Sequence, residues 1–598
     1  MSGDVIDLSH RKTFEMTKFD IDVLLILPLI AMERKILCQI FIIMCSNILQ
    51  NNGQDLLGHP HIIFILADDL GWNDVGFHGS DQIPTPNIDS LAYNGVILNN
   101  YYVQSMCSPS RGALMTGKYP IHLGMQHFVL LNTEPRGLPL SERLLPEYLK
   151  DIGYATHAVG KWHLGFFKKE YTPEFRGFDS HFGHWTNQQD YYDHTGFYGD
   201  DWGLDMHRGL EPAWDVHGKY TTELYTEEAV NVINDHKRNK PLFLYLSHHA
   251  VHSANFYEPL QAPDKTVEEF SYIENYQRRK YAAMIHWLDE SVGKVVEALA
   301  ANGMLNNSII IFATDNGGAP DGLGRNAGSN WPLRGAKFSL WEGGTRGVAL
   351  IWSPLLKKRS RLAKQLMHVS DWVPTLLSAV NASDKASPDL DGHDLWKALV
   401  EDASSSRENV LLNIDSVENE AAFRDGDWKI KMGAFTLFSG LRDGWYGPSG
   451  LGHEYRYNMT LVVNSRVSQA MNSLGYELQE EQIMSLREQA RVRCDMESTN
   501  LENVVYNTDF IVGPPRACDS QVQPCLFNIR YDPCEKRNLA DLYPGILTSL
   551  LNKIAQINET ALPAANVPTV LESRPSLWGY LWTNYGDENV SQDKCSIM

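Results

Sequence analysis

A short segment around residue 107 concentrates residue types that can do covalent chemistry. Cys107 is followed by Pro109 and Arg111, and the segment closes on Gly117. After Pro109 the residues favour a helix, and Gly117 is a typical helix stop. Cys107 would then lie at the positive end of that helix, where free N–H groups favour an anion. We therefore predict that the active site contains Cys107.

Acidic residues follow two apolar segments that read as buried parallel strands. Asp68 and Asp69 follow residues 59–67, and Asp315 and Asn316 come just after residues 308–313. In open α/β sheets ligands bind outside the carboxyl ends of the strands, so these side chains are candidates for one site. By themselves, paired aspartates are more often part of a loop or a helix cap than a metal site.

Basic residues follow two further apolar strands. Lys161 and His163 are two residues apart after residues 154–159, and on an extended segment both would point to the same side. Residues 241–246 run into His248, His249 and His252, a spacing that invites a zinc interpretation. Lysines and histidines on loops are usually solvated, so these patterns carry weight only in combination.

The order of elements predicts an α/β fold. Strands alternating with helical segments, each strand ending in polar residues, are typical of a mostly parallel sheet between helices. Residues 284–299 keep helical spacing of apolar side chains, which indicates core packing. From about residue 401 a smaller antiparallel domain is expected, because residues 422–433 alternate around an Asp-Gly turn. Residues 441–520 read as an insertion with a polar helix near 477–493.

Composition and the two ends of the chain limit the class of protein. The 598 residues carry a formal charge of −21, which excludes nucleic acid as a partner because phosphate binding needs a basic face.

We predict an N-terminal extension and signal peptide over residues 1–53, with translation starting at Met32, and no stable membrane span. A signal anchor is the alternative. Five Asn-x-Ser/Thr sequons fit a secretory chain, either lysosomal or secreted: Asn306, Asn381, Asn458, Asn558 and Asn589.

Two motifs together resemble the sulfatase family. Residues 107–117 contain Cys-x-Pro-Ser-Arg followed by Thr-Gly, and residues 160–165 read Gly-Lys-Trp-His-Leu-Gly. The resemblance implies an alkaline-phosphatase-like catalytic domain, placed at residues 54–400, with the smaller domain at 401–598. It also implies that Cys107 is oxidised to formylglycine by the formylglycine-generating enzyme. Hydrated formylglycine carries two hydroxyls, one that attacks sulfur and one that later helps to expel sulfate.

The resemblance assigns roles residue by residue. It implies a Ca²⁺ or Mg²⁺ ion, whose oxygen donors exclude a thiolate-type zinc site. Arg111 would fix the diol, and Lys161 and Lys337 would neutralise the sulfate oxygens. His252, the only one of the three neighbouring histidines in the family pattern, would protonate the leaving oxygen together with Lys337, and His163 would take the diol proton. The implied metal ligands are Asp68, Asp69, Asp315 and Asn316, with modified Cys107.

The substrate is less constrained than the reaction. The glycine-rich loop over residues 331–347, which holds Lys337, is similar to the arylsulfatase B branch of the family. That similarity implies a sulfated sugar such as N-acetylgalactosamine 4-sulfate of glycosaminoglycans. Another small sulfated metabolite, such as a glucoside or a steroid sulfate, is the first alternative. A phosphatase or phosphodiesterase is disfavoured by Cys107 with Arg111, and a non-catalytic relative is disfavoured by the full set of catalytic residues.

Two further expectations concern cysteines and aromatic residues. Five cysteines lie late in the chain, and an oxidising compartment would favour bridges among them, with Cys525–Cys534 as the preferred pair. Trp185 and residues 190–192 could stack on a sugar or pack in the core.

Overall fold

Three buried strands form the centre of the fold in the computed structural model, which describes residues 58–322, 324–436, 443–449, 455–494 and 517–587. Strand β1 (His61–Ala67) is buried along its whole length, as its continuous apolar sequence predicts. It lies parallel to β10 (Leu242–Ser247) on one side and to β11 (Ser308–Thr314) on the other. The predictions for residues 1–53 fall outside the described residues.

A ten-stranded mixed sheet extends from this centre. Its other strands are β2 (Val96–Leu98), β4 (Ala155–Gly160), β5 (Ser180–Gly183), β8 (His207–Arg208), β9 (Glu211–Pro212), β12 (Ala349–Trp352) and β13 (Arg361–Ala363). The order is β13-β2-β12-β11-β1-β10-β4-β5-β8-β9. The strands from β11 to β5 in this order are parallel, and the antiparallel pairings lie towards the two edges. The predicted mostly parallel sheet is confirmed.

Helices cover both faces of this sheet. They are α1 (Pro86–Asn94), α2 (Cys107–Thr116), α3 (Leu145–Asp151), α4 (Thr221–Asn234), α5 (Asp264–Glu269), α6 (Tyr276–Ala301), α7 (Glu342–Thr345), α8 (Trp372–Ala379) and α9 (Trp396–Glu401). Ile63 and Ile65 of β1 pack in one core, which includes Leu288 of α6. Ile62 and Phe64, on the other face, pack in a second core with α2, α3 and α8. The helical stripe predicted at residues 284–299 is core packing, as expected.

The strand register brings the polar ends of the central strands to one edge. Ala67 lies opposite Thr314, and Ser247 lies opposite both Leu66 and Gly160. The residues that follow these strands therefore leave the sheet at the same level. This is the carboxyl edge, where open α/β sheets bind their ligands.

A second, four-stranded antiparallel sheet lies late in the chain, as predicted. It consists of β15 (Asn409–Asp415), β16 (Glu420–Asp425), β17 (Trp428–Met432) and β18 (Cys525–Asn528), in that order. Helix α13 (Pro544–Asn558) packs Leu550 and Ile554 against Phe423 and Ile430 of this sheet. Two short pairs complete the strands: β3 (Tyr101–Tyr102) with β14 (Met367–His368), and β6 (Thr195–Tyr198) with β7 (Asp201–Leu204).

The described part of the predicted insertion folds against the large sheet. It contains α10 (Met459–Val463), α11 (Arg466–Asn472) and α12 (Glu480–Ala490), and α12 confirms the helix expected near residues 477–493. Met471 and Ile483 join the core formed by α1 and α6. Arg487 of α12 donates to the carbonyl oxygens of Gly76 and Ser80.

The disulfide prediction was wrong. Cys525 pairs with Cys518, seven residues earlier, and Cys534 pairs with Cys494. The Cα atoms are 5.8 and 5.9 Å apart, which is the usual range for a bridge. Cys525 lies in β18, and Cys518 lies on the turn that leads into this strand. Cys494, at the end of the α12 segment, reaches Cys534 from a distant part of the sequence.

In the part of the chain that the structure describes, no helix combines the length and the apolar character that crossing a bilayer requires.

Candidate active site

Cys107 is the first residue of α2 and is almost completely buried. The helix begins there, two residues before the predicted start at Pro109, and ends before Gly117 in the left-handed conformation. The Cys107 Sγ atom lies 3.7 Å from Oδ1 of Asp68. Burial raises the pKa of this thiol to about 12, although Lys161 and Lys337 act in the opposite direction. The unmodified thiol is therefore neutral and a poor nucleophile.

Arg111, one helical turn after Cys107, ties α2 to the carboxyl edge of the sheet. Its Nε and Nη2 atoms donate to Oδ2 of Asp315 at 3.1 and 2.8 Å. Its Nη1 donates to the Ser247 hydroxyl at 2.6 Å, at the end of β10. Ser247 was given no role from the sequence, because an isolated serine at a strand end carries no local pattern.

The paired aspartates each have their own lysine. Lys161 Nζ lies 2.5 Å from Oδ2 of Asp68, and Arg111 Nη2 lies 3.4 Å from the same oxygen. Lys337 Nζ lies 2.7 and 2.8 Å from the two carboxylate oxygens of Asp69. All of these side chains are buried. The two lysines thus neutralise carboxylates that would otherwise repel each other.

Burial and neighbouring charges shift the acids in different directions. Burial acts to raise the pKa of Asp68, but Lys161 and the other nearby cations outweigh it and hold that pKa well below its usual value. For Asp69, burial prevails over Lys337 and raises the pKa. Burial, followed by the charge of Asp68, raises the pKa of Asp315 to about 7. This site therefore favours additional positive charge.

The donor atoms at this edge suit a hard divalent cation. Asp68, Asp69, Cys107 and His252 each offer a ligand atom, and these atoms all lie within 4.8 Å of one another. Asn316 donates from Nδ2 to Asp69 Oδ1 at 2.6 Å, while its buried Oδ1 has no hydrogen-bond partner among the described residues. Carboxylates and an unpaired amide oxygen are ligands that Ca²⁺ and Mg²⁺ prefer, so the residues fit such an ion.

The structure places the four sequence-predicted ligands together, but Asp315 differs from the others. Its Oδ2 is held by Arg111, and its Oδ1 accepts the backbone N–H of Asp69 at 3.2 Å. Asp69 has a positive φ of 57°, and its carbonyl oxygen accepts from the Asn326 side chain at 2.9 Å. Asn326 was not found from the sequence. It supports the turn after β1 from a loop that is far away in sequence.

Two histidines present a ring nitrogen to the site. His163 Nε2 lies 3.0 Å from the Leu130 carbonyl oxygen, so its proton is on Nε2, and the buried Nδ1 has no partner among the described residues. His252 Nδ1 lies 2.6 Å from the Ser253 carbonyl oxygen, which leaves Nε2 facing Asp69 Oδ2 at 3.6 Å. Burial, followed by Lys161 for His163 and Lys337 for His252, holds both pKa values well below the usual value.

His248 and His249, the neighbours of His252 in the sequence, have other partners and do not belong to the donor cluster. His248 is hydrogen-bonded through Nε2 to the Ser291 hydroxyl at 2.9 Å. The His249 ring lies 4.8 Å from the Tyr191 ring in the core. The donor group described above includes His252 and neither of these, so the structure forms no zinc site from the three histidines within the described residues.

A cleft of about 600 Å³ leads to Cys107. His163, His252 and Lys337 also line it, and its walls include five aromatic side chains: Phe128, Phe197, Tyr198, Phe256 and Phe338. Trp185 and Tyr191, which the sequence left between stacking on a sugar and packing, are buried in the core. The described residues of the 441–520 segment do not line this cleft. No local pattern marks the aromatic walls, because they come from separate loops.

Comparison with known proteins identifies the family. A family model described as Sulfatase matches residues 60–382. Arylsulfatase J of Mus musculus is 40% identical over 543 residues, which cover 89% of this chain and 81% of that protein. The chain belongs to the sulfatase family. This sulfatase is therefore a sulfuric ester hydrolase, and the predicted resemblance is confirmed at the level of the family.

Further relatives and solved structures agree with this assignment. N-acetylgalactosamine-6-sulfatase of Homo sapiens is 31% identical over 367 residues, which cover 57% of this chain and 66% of that protein. The crystal structure of Ps i-CgsB in complex with k-i-k-neocarrahexaose matches with a TM-score of 0.62 and 26% identity, covering 85% and 94% of the two chains. The PsFucS1 sulfatase from Pseudoalteromonas sp. matches at 0.59 with 22% identity, covering 88% and 96%, and shows the same fold. The alkaline-phosphatase-like fold with a smaller antiparallel sheet is confirmed.

Proposed function

We propose that Cys107 is converted to formylglycine and that this sulfatase hydrolyses sulfate esters of a sugar through that group. The observation that carries the proposal is the position of Cys107, a buried neutral thiol at the start of α2 on the floor of the cleft. Its raised pKa makes the thiol itself a poor nucleophile. The hydrated aldehyde supplies two hydroxyls, one to accept the sulfuryl group and one to release sulfate. The formylglycine-generating enzyme is the partner that this maturation requires.

We propose that Asp68, Asp69, Asp315 and Asn316, with modified Cys107, hold Ca²⁺ or Mg²⁺. The unpaired oxygen of Asn316 and the raised pKa of Asp69 support a bound cation at this point. When bound, the ion polarises a sulfate oxygen and neutralises the carboxylates.

The basic residues have distinct proposed roles. Lys161 and Lys337 lie on either side of the aspartates and would bind the sulfate oxygens through charge-assisted hydrogen bonds. Arg111 would orient the diol from α2 while it keeps Asp315 in place. His163 would take the diol proton, because its Nδ1 is unprotonated and has no partner among the described residues.

Two groups are candidates to protonate the leaving oxygen. His252 donates from Nδ1 to the Ser253 carbonyl, so a neutral His252 has no proton on Nε2 to give. Lys337 is held in its charged form, since Asp69 and Cys107 outweigh burial and raise its pKa. The geometry therefore favours Lys337 as the donor, with His252 as a donor only when it is protonated on both nitrogens.

The proposed substrate is a sulfated sugar such as N-acetylgalactosamine 4-sulfate of glycosaminoglycans. Aromatic walls around the cleft support a sugar ring as the leaving group. One relative is named for N-acetylgalactosamine 6-sulfate, which is the same class of sugar ester. The similarity of residues 331–347 to arylsulfatase B favours the 4-sulfate. A sulfated glucoside and a steroid sulfate are the comparison substrates.

We further propose that the protein passes through the secretory pathway and is lysosomal or secreted. Four sequon asparagines are exposed in the structure: Asn306, Asn381, Asn458 and Asn558. Asn589 lies outside the described residues. The two disulfides are also typical of an oxidising compartment.

The test combines peptide mass spectrometry across Cys107 with hydrolysis of a chromogenic aryl sulfate. We expect the mass change of a thiol converted to an aldehyde, and we expect Cys107→Ala to reduce kcat at least about a thousandfold. Cys107→Ser serves as a second variant, because a serine can accept the sulfuryl group but cannot eliminate it. An unmodified cysteine with no turnover, in cells that contain the modifying enzyme, would favour a non-catalytic relative. Hydrolysis of the matching aryl phosphate instead would favour a phosphatase.

A further inference from the structure

The cleft above Cys107 contains a cation that sulfate ester hydrolysis does not use. Arg325 lines the cleft together with Lys337, and its side chain is exposed. Within the described ranges it forms no ion pair, whereas Lys161, Lys337 and Arg111 are all paired with aspartates. The guanidinium of Arg325 is therefore available to a ligand.

The backbone next to Arg325 lies close to Lys337 at the reacting centre. Its neighbour Gly324 has a φ of +67°, and a Cβ atom on Gly324 would lie 4.0 Å from Lys337 Nζ and 3.9 Å from Ser253 Oγ. The backbone N–H of Arg325 donates to Gly322 at 3.1 Å, which holds the turn. Consecutive Cα atoms are only about 3.8 Å apart, so Arg325 starts within one residue of the wall that contacts Lys337. A group near the sulfate ester is within reach of its long side chain.

The charge of the cleft contrasts with that of the whole chain. The chain carries a net charge of −21, yet the charged residues among the described lining of the cleft are Arg325 and Lys337, with no aspartate or glutamate. A cleft lined by one sign of charge focuses the field and concentrates ligands of the opposite sign. Lys337 is already paired with Asp69, so Arg325 is the lining cation that can attract an anionic group of a ligand.

An aromatic wall of the same cleft can hold a ring. Phe197 and Phe256 meet edge to face with centroids 4.8 Å apart, and Phe256 is 74% exposed. An exposed phenylalanine at the mouth of a cleft offers its face to the apolar face of a ring. Asn187 and Gln188 line the same space and add amide groups that can bond hydroxyls.

We propose that Arg325 binds a second anionic group of the substrate, a carboxylate or a sulfate, on the sugar that leaves or on its neighbour. The preferred substrate is therefore an acidic oligosaccharide that is sulfated at the reacting position, rather than a singly charged sulfate ester. Arginine suits this role because its planar fork binds carboxylate and sulfate oxygens in pairs. This inference rests on the proposed sulfatase activity and concerns the substrate of that same site.

The test measures kcat/KM of wild type, Arg325→Ala and Arg325→Lys on matched substrates. These are an aryl sulfate with no second anion, a sulfated disaccharide with a uronate, the same disaccharide with its carboxyl group reduced, and a disulfated disaccharide without a uronate. Arg238→Ala is the matched control, since Arg238 is also exposed and has no ion pair among the described residues.

We expect Arg325→Ala to lose about tenfold or more in kcat/KM, mainly through KM, on at least one doubly charged substrate. The loss on the aryl sulfate should stay below about twofold, and Arg325→Lys should retain part of the affinity.

The outcomes separate the possibilities. A loss on the uronate substrate that disappears when the carboxyl group is reduced identifies a carboxylate as the second anion. A loss confined to the disulfated substrate identifies a sulfate. Equal losses on all four substrates, or none, overturn the role of Arg325 while the sulfatase proposal stands. If wild type hydrolyses none of the sulfate esters, the proposed function itself fails, and this inference fails with it.

Discussion

Two clusters of buried charged side chains in this sulfatase differ in whether polar atoms beside them stay available to a ligand. The first, which we propose to be catalytic and call the catalytic cluster, consists of Asp68, Asp69, Asp315, Arg111, Lys161 and Lys337. The structural cluster consists of Glu342, Glu535 and Lys429, where Lys429 Nζ lies 3.0 Å from Glu342 Oε1 and 2.8 Å from Glu535 Oε1. Both clusters are buried, and in both a lysine offsets carboxylates that burial disfavours.

In the structural cluster the protein supplies the counter-charge: Glu535 Oε1 accepts no hydrogen bond, but it lies 2.8 Å from Lys429 Nζ. Tyr102 donates to Glu342 Oε2 at 2.7 Å, and the backbone N–H of Glu342 donates to Glu535 Oε2 at 2.8 Å. Beside the catalytic cluster, Asn316 Oδ1 and His163 Nδ1 have no hydrogen-bond partners among the described residues, and His163 lines the cleft. The comparison teaches that unpaired polar atoms beside a cavity, rather than buried charge alone, distinguish a site that binds from one that stabilises.

The largest expected effect on activity comes from Lys337→Met. We expect kcat/KM to fall about 10²–10³-fold, because a cation positioned on the sulfate is lost from a buried site. With Ca²⁺ or Mg²⁺ present, the loss of unfolding free energy should be smaller than that of Lys429→Met, since a bound ion can balance Asp69. Aryl sulfate kinetics and denaturant unfolding measure the two quantities, with the exposed Lys358→Met as the control. Unchanged kinetics would remove Lys337 from the catalytic cluster.

The largest expected effect on stability comes from Lys429→Met. Removal of the lysine leaves Glu342 and Glu535 as neighbouring buried carboxylates, and breaking such a pair costs about 3–5 kcal/mol. Denaturant unfolding measures this loss, and KM of the fraction that stays folded should match wild type. A changed KM with unchanged stability would mean that the distinction between the two clusters is wrong.

Removal of divalent ions should affect the catalytic cluster alone. Chelation should abolish turnover and lower Tm, and ion at a hundred times its Kd should restore about 2.7 kcal/mol of stability. Asp69→Asn should lose this response of Tm to Ca²⁺ or Mg²⁺, whereas the surface variant Glu572→Gln should keep it. A Tm of wild type that does not respond to either ion would contradict the proposed metal site.

The last expected effect is a pH dependence of stability from the structural cluster. Burial raises the pKa of Glu535 from 4.5 to about 7, although Lys429 opposes the shift. The folded state therefore binds a proton that the unfolded state releases between about pH 4.5 and 7, so this contribution to stability is present below that range and is lost as pH rises through it. Glu535→Gln should flatten this slope in unfolding measured from pH 4.5 to 7.5. An unaltered slope would show that another group titrates.

Much of the catalytic cluster could be predicted because its members follow strands or begin a helix. The apolar patterns of β1 and β11 mark where these strands end, and Asp68 and Asp315 directly follow those ends. Parallel strands end at the same edge of a sheet, so the two acids come together. Local helix preferences and Gly117 predicted α2, although the helix begins at Cys107, two residues before the predicted start at Pro109. The family motifs then assigned chemistry to these positions.

Other features depend on contacts between distant segments. The sequence offered Cys525–Cys534 as a bridge, but Cys494 arrives from the α12 segment and takes Cys534. The sequence left Trp185 and Tyr191 between stacking on a sugar and packing; both are core residues, while Phe197 and Phe256 line the cleft. A spacing pattern along the chain does not report which loops meet.

The sequence by itself determined the position of the Cys107 motif, the strand ends that carry the acids, and the family, because each depends on residues that are close in the chain. Only the tertiary structure decided which lysine pairs with which aspartate, how Arg111 reaches Ser247, and where Arg325 opens into the cleft. The physical reason is that charge pairing and cavity shape are set by distances of a few ångströms between segments. Those distances exist only after the sheet and its two helical layers have assembled.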